Sequence, residues 1–315
     1  MSWLTTAINR LCALPALGKR LLQLPDQLAE VKLLTARMLI QQMKAREVAA
    51  SIQEFEFKVF SQFGDDGIIQ YLIYRVEIAP EQRIFIEFGV ENYAESNTRF
   101  LLMNDNWRGL ILDGDPDNMA QARASNYYWK HDLTAAAAFI DRDNVNSLFR
   151  NHGFTGEIGL LSIDIDGNDY WVWERIEAVN PVIVIVEYNS VLGTQHSVTI
   201  PYDPVFQRTR SHYSNLYWGC SLKALEELGR KKGYALVGSN SAGNNAYFVR
   251  RDRLGDIREM SAREAYVESK YRESRDKSGR LTYLAGKDRI KAIRNMLVFD
   301  VEQGKTIEIR EIYEC

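Results

Sequence analysis

Ile84-Phe85-Ile86-Glu87-Phe88-Gly89 is an apolar run of strand length that ends in a glycine. Four runs of the same kind follow it. Gly109-Leu110-Ile111-Leu112-Asp113 reads as a second strand, with Pro116 opening the next helix. A weaker third strand is expected at Tyr127–His131, ending at Asp132. Leu160–Ile165 reads as the fourth strand and Val182–Glu187, bounded by Pro181 and Asn189, as the fifth. Helical stretches are expected between them at Ser96–Asn104, Val145–Asn151 and Tyr170–Val179. Strands alternating with helices imply right-handed crossovers and a mostly parallel sheet. Strands that are apolar almost throughout imply that helices cover both of its faces. The fold class is therefore α/β.

Beyond an irregular stretch at 190–220, Leu222–Lys232 reads as a helix, and Tyr234–Val237 and Ala246–Val249 as two further strands. The charged stretch 251–315 suggests helices at Ala262–Arg272 and Lys287–Arg294 and a hairpin in VFDVEQGKTIEI. The expected division is a helical arm at 1–54, a main domain at 55–250 and an extension at 251–315.

The chain has 315 residues, 46% of them hydrophobic and 26% charged, which excludes a disordered or collagen-like chain. A net charge of −3 gives no overall electrostatic grip on nucleic acid. The three cysteines, Cys12, Cys220 and Cys315, are too dispersed for a disulfide framework or a zinc knuckle, and a reducing cytoplasm suits them. The first 50 residues hold seven basic and three acidic side chains. Leu4, Ile8, Leu11, then Leu28, Val31 and Met38 suggest amphipathic helices broken near Pro15 and Pro25. Packing on the main domain or on a second subunit is one reading of this arm. A basic helix on an anionic membrane face, or a mitochondrial presequence, are others.

The strand ends carry the chemistry. In doubly wound sheets, ligands bind at the carboxyl ends of strands near the point where strand order reverses. Gly89 ends the first strand, and Asp113, at the end of the second, sits where an acid can accept ribose hydroxyls. There is no G-x-G-x-x-G. The first turn, Gly89-Val90-Glu91-Asn92-Tyr93-Ala94-Glu95, places carboxylates where a pyrophosphate needs bare amides, which disfavours NAD and FAD. A ligand with a sulfonium and an ammonium group suits such an acidic mouth.

The run Ser162-Ile163-Asp164-Ile165-Asp166-Gly167-Asn168-Asp169 concentrates acids at the end of the fourth strand. Alternation puts Ser162, Asp164 and Asp166 on one face. Their repulsion is relieved by a divalent ion, by a substrate ammonium, or by the loop's own amides with Asp169 capping the next helix. Glu187 and Asn189 add oxygen donors at the same edge, so Asp166, Glu187 and Asn189 are the candidate ligands for Mg²⁺ or Mn²⁺. A strand ending in D-x-D-G also opens haloacid-dehalogenase phosphatases, but Asn168 departs from that motif. The stretch 193–218 is rich in aromatics, and Asp166, His196 and His212 are candidate proton acceptors.

Glu87-Phe88-Gly89, Leu112–Pro116, Ser162–Asp169 and Glu187-Tyr188-Asn189 together resemble an FkbM-type class I S-adenosylmethionine methyltransferase. Ser61–Gly67 is similar to the polar segment that precedes the first strand in such proteins, and the resemblance covers about residues 60–250. It implies a Rossmann-like sheet of seven strands closed by an antiparallel hairpin. It also implies S-adenosylmethionine as cofactor, with Glu87, Gly89, Asn97, Asp113, Asp132 and Asp164 as binding residues. The acids after the fourth and fifth strands look more like the metal-assisted macrocin-type sugar O-methyltransferases. The expected activity is O-methyl transfer to a hydroxyl of a sugar, glycan or related natural product by a homo-oligomer. A methyltransferase-fold binding protein in a glycan-synthesis assembly, or a metal-dependent phosphatase, are the competing readings.

Overall fold

A computed structural model describes residues 27–46 and 50–313. Its contacts divide the chain into two units, Met1–Ala45 and Arg46–Cys315. In the first unit the described residues form one helix, α1, over 27–44. Leu28, Val31 and Met38, the expected apolar face, are 57%, 59% and 66% exposed. The helix carries a second apolar stripe, Ala36, Ile40 and Met43, spaced i, i+4, i+7, and that stripe is the buried one. The expected helix around Leu4–Leu11 and the breaks at Pro15 and Pro25 lie outside the described residues. Among the described residues no helix is long and apolar enough to cross a membrane.

The second unit opens with α2 (Asp65–Arg75) and then alternates: β1 (Ile84–Phe88), α3 (Arg99–Asp105), β2 (Arg108–Asp113), α4 (Pro116–Ala124), β3 (Leu133–Ala137), α5 (Val145–Asn151), β4 (Gly156–Ile163), α6 (Asp169–Arg175) and β5 (Val179–Glu187). After β6 (Val198–Thr199) and the short α7 (Arg208–Ser211) come α8 (Leu222–Lys231), β7 (Tyr234–Ser239) and β8 (Asn245–Arg250). The large sheet runs β3-β2-β1-β4-β5-β8-β7. Its first five strands are parallel, and β8 is antiparallel to both β5 and β7. The chain thus walks outward from β1 to β3, crosses back and resumes at β4 beside β1. The strand order reverses between β1 and β4, and a crevice opens at their carboxyl ends.

The apolar strands bury both faces as their composition requires. Trp173 of α6 packs on Phe248 of β8, ring centres 4.8 Å apart, and Phe88 of β1 on Phe149 of α5 at 5.8 Å. At Gly109 a Cβ would come within 2.1 Å of the Phe85 ring, so the β1–β2 contact depends on a bare backbone there.

The third strand departs from expectation. Tyr127–Lys130 is a run of turns, with Lys130 N–H donating to the Tyr127 carbonyl at 3.1 Å. The strand is Leu-Thr-Ala-Ala-Ala at 133–137 instead, paired with Gly109–Asp113. Alanines have weak strand propensity, and the parallel ladder to β2 holds them extended. Two helices are shorter than expected: α6 stops at Arg175, and the expected Ala262–Arg272 helix is only α9 (Ala262–Ala265). Strand β5 starts at Val179, so Pro181 lies inside it, opposite Ile158.

The extension is woven into the second unit. After α10 (Lys287–Ala292), β9 (Leu297–Asp300) and β10 (Lys305–Glu308) form the expected hairpin, and β6 joins it as a third strand. Tyr188 Oη donates to the Val267 carbonyl at 2.7 Å, which ties the segment after α9 to the end of β5.

Candidate functional site

The crevice between β1 and β4 holds two adjoining cavities that share Gly89, Glu91, Asp164 and Asp166. The smaller, about 230 Å³, runs toward the ends of β2 and β3 and is lined by Asp113, Gly114, Phe139, Ile140 and Asn168. The larger, about 430 Å³, runs toward β5 and is lined by Phe63, Asn97, Glu187, Arg208, Tyr271 and Glu273 among others.

Gly89 sits at φ +69°, and a Cβ there would lie 1.6 Å from the Asp164 carbonyl oxygen. Only glycine permits both that conformation and that approach. Next to it, Glu87 is buried, and burial pushes its carboxyl above the usual range, opposed by hydrogen bonds from Ser96, Thr98 and Asn97. Its oxygens accept from Ser96 Oγ at 2.5 Å, Asn97 N–H at 2.8 Å and Thr98 N–H at 3.0 Å. Both oxygens are therefore committed to shaping the 96–98 turn. That turn in turn aims Asn97, whose Nδ2 donates to Ser162 Oγ at 3.1 Å.

Asp113 accepts from Glu91 N–H and Asp115 N–H, each at 2.8 Å, and from Asn118 Nδ2 at 3.1 Å. A carboxylate has roughly four acceptor sites, so one remains for a ligand hydroxyl. Phe139, half exposed, lines the same cavity, and buried Asn168 has an Oδ1 without a hydrogen-bond partner among the described residues. An apolar ring surface and an unpaired acceptor beside a hydroxyl-binding acid match a nucleoside.

Asp164 and Glu187 end the neighbouring strands β4 and β5. Each lies close enough to the other for their charges to interact. Burial, then the negative neighbours Asp166 and Asp169, push the Asp164 carboxyl well above the normal carboxylate range. The same burial, with Asp164 the strongest charged neighbour, raises Glu187, and Arg208 opposes that rise. Asp169, the first residue of α6, takes another part. It accepts from Ile165 N–H and Gly167 N–H, each at 2.9 Å, and so closes the 165–167 loop upon its own amides.

Asp166 lines both cavities, but strand alternation ends at Ile163, and at φ +54° its carboxylate pairs with Arg208 Nη1 at 2.7 Å. Other expected site residues are placed elsewhere. Asp132 precedes β3 rather than ending a strand, so it lies at the opposite edge of the sheet, exposed beside Arg108. Neither histidine lines either cavity. His196 stacks edge-on against Tyr313, and His212 Nδ1 shares a hydrogen bond with Ser214 Oγ at 2.7 Å. The metal set is not assembled. Asn189 spends its amide on the carbonyls of Leu216 and Trp218 and its oxygen on Val191 N–H. The Arg208 guanidinium already neutralises Asp166, and a cation beside it is repelled. Among the described residues no group of three or more His, Cys, Asp or Glu side chains is placed to hold an ion.

Arg208, Tyr271, Phe63 and Asn168 escaped the sequence reading. Arg208 comes from a segment without periodicity, and Tyr271 from the extension. Phe63 lies in Ser61–Gly67, where Asp66 Oδ2 accepts from Val59, Phe60 and Ser61 N–H at 2.7–2.9 Å and so folds the loop that carries Phe63 to the cavity. That motif was visible, but its role as a loop clasp was not.

A seven-stranded sheet of this order, with its reversed strand β8 and its crevice beside β1, defines the Rossmann-like class I methyltransferase fold. Solved structures with a likeness to the chain include the N-terminal domain of EvdMO1 with SAH bound, at 12% identity and a TM-score of 0.38 over 68% of this chain and 94% of that one. The O-methyltransferase from Bacillus cereus in complex with SAH is similar at 14% identity and a TM-score of 0.35, over 68% and 88%. DszA carbon methyltransferase is similar at 12% identity and a TM-score of 0.37, over 59% and 53%. Likenesses this distant say nothing about acceptor or chemistry. No protein-family model matches the chain, and no curated protein matches it.

Proposed function

We propose that this protein is an S-adenosylmethionine-dependent O-methyltransferase acting on a hydroxyl of a sugar, glycan or related natural product. The observation that carries the reading is the pair of joined cavities at the β1–β4 switch point, one built for a nucleoside and the other opening toward two close carboxyl groups. The FkbM-type and macrocin-type resemblance belongs to this proposal and is supported by the positions of Gly89, Asp113, Asp164 and Glu187 at the ends of β1, β2, β4 and β5.

Bound S-adenosylmethionine supplies an electrophilic methyl group on a sulfonium. Asp113 would hold a ribose hydroxyl, Phe139 and Ile140 would flank the base, and Asn168 would lie beside it. Glu91 and Asp164, which line both cavities, give the positive end of the cofactor a negative surrounding. Asp164 stands at the junction, where the acceptor hydroxyl must approach the methyl. Asp164 would there take the proton of the acceptor hydroxyl as the bound cofactor's methyl is transferred to it. Neither histidine is placed for this step, and no metal is assigned to it because Arg208 and Asn189 do not fit one.

Calorimetry with S-adenosylhomocysteine on the wild type and Asp113→Ala tests the cofactor half. Loss of the charged acceptor should weaken binding by about 1.5–3 kcal/mol. Equal affinity in a folded variant removes the role of Asp113. No binding to the wild type removes the methyltransferase reading itself.

A further inference from the structure

The buried carboxyl of Glu187 stands out among the groups of the larger cavity. It is only 5% exposed, it lines the cavity, and its Oε2 has no hydrogen-bond partner among the described residues. The other acids are satisfied in different ways. Glu95 pairs with Lys58 at 2.9 Å, Glu273 with Arg275 at 3.0 Å and Asp166 with Arg208 at 2.7 Å. Seven carboxyl groups line the cavity against three paired cations, Arg208, Lys58 and Arg275, so acids outnumber cations there. Across from them the rings of Phe63 and Tyr271 stack at 5.7 Å and 10°, and both line the same cavity.

We propose that Glu187, with Phe63 and Tyr271, seats a protonated amino group of the methyl acceptor, so that the acceptor is an amine-bearing alcohol such as an amino sugar. This rests on the methyltransferase reading. A neutral hydroxyl would satisfy the hydrogen bond of Oε2 but leave the charge excess uncompensated. A buried carboxylate is costly unless it is both paired and hydrogen-bonded, and an ammonium supplies both. Aromatic faces beside carboxylates favour the same guest, because ring quadrupoles attract cations. Glu187 lies outside the nucleoside cavity and two strands from β1, on the side away from Asp113, which places the ammonium with the acceptor rather than with the cofactor.

The test is calorimetry on the full chain saturated with S-adenosylhomocysteine. Glucosamine, galactosamine and ethanolamine are compared with glucose, galactose and ethylene glycol. At least one amine should bind about tenfold more tightly than its neutral counterpart, the gain expected of a charge-assisted hydrogen bond. Glu187→Gln should abolish that preference while leaving S-adenosylhomocysteine affinity unchanged. Should that variant fail to fold, Tyr271→Leu serves instead and should lower the preference about three- to fivefold. No amine binding ahead of its counterpart overturns the proposal, and so does a preference that survives Glu187→Gln. Loss of S-adenosylhomocysteine affinity in Glu187→Gln assigns the ammonium to the cofactor and overturns it too. If the wild type binds no S-adenosylhomocysteine, the methyltransferase reading fails. The proposal, which rests on that reading, then fails with it.

Discussion

Gly89 shows how tightly single residues are constrained at the switch point. Its φ of +69° and the 1.6 Å that would separate a Cβ from the Asp164 carbonyl leave no room for a side chain. Gly89→Ala should therefore destabilise the protein by on the order of 2–4 kcal/mol, from backbone strain and from forcing β1 and β4 apart. It should also abolish S-adenosylhomocysteine binding. Urea unfolding and calorimetry check both, and a variant of normal stability and affinity shows that the two strand ends can separate freely. Gly89 was legible as a ligand-facing glycine because it ends an apolar run. The commitment of Glu87 to the 96–98 turn was not, since its partners lie about ten residues further on and only the turn brings them back.

At the scale of an element, the loop before α2 is held by one buried carboxyl. Burial raises the pKa of Asp66 from 3.8 to about 6, although three backbone amides and Ser61 oppose the shift. A carboxyl whose pKa is higher in the folded state binds its proton more tightly there. Its contribution to stability is thus fully present below about pH 3.8 and is lost as the pH rises through about 6. The stability advantage of the wild type over Asp66→Asn should shrink by up to about 3 kcal/mol between pH 4 and pH 7. Urea denaturation of both proteins at three pH values measures it. A difference independent of pH means that Asp66 does not titrate in that window. Elements of strong apolar character, such as β1, β2, β4 and β5, were legible from composition. Strand β3 was not, because three of its five residues are alanines and only the ladder to β2 makes them a strand.

Across the whole molecule, every residue of the two cavities falls in the unit Arg46–Cys315. Removing residues 1–45 should leave S-adenosylhomocysteine affinity within about twofold, well under 1 kcal/mol. If the arm joins a second copy of the chain, light scattering should show a smaller assembly after the truncation. An unchanged assembly with lost binding to anionic vesicles points to the membrane reading instead. A large loss of cofactor affinity in a folded truncation overturns the separation of arm and site.

The amino-acid sequence by itself determined the α/β class, the order of alternating elements and the positions of Gly89, Asp113, Asp164 and Glu187 at strand ends. These follow from short-range regularities, since apolar run length and the residue that closes each run are local properties. Which acids meet was decided by the tertiary structure. Asp164 and Glu187 interact because β4 and β5 are parallel neighbours, whereas Asp166, two residues from Asp164 and in the same cavities, is at positive φ and meets Arg208. The same holds for Tyr271, which reaches the cavity from the extension because Tyr188 anchors the preceding segment to β5. Contacts between residues far apart in sequence depend on the path of the backbone as a whole, and no spacing along the chain encodes them.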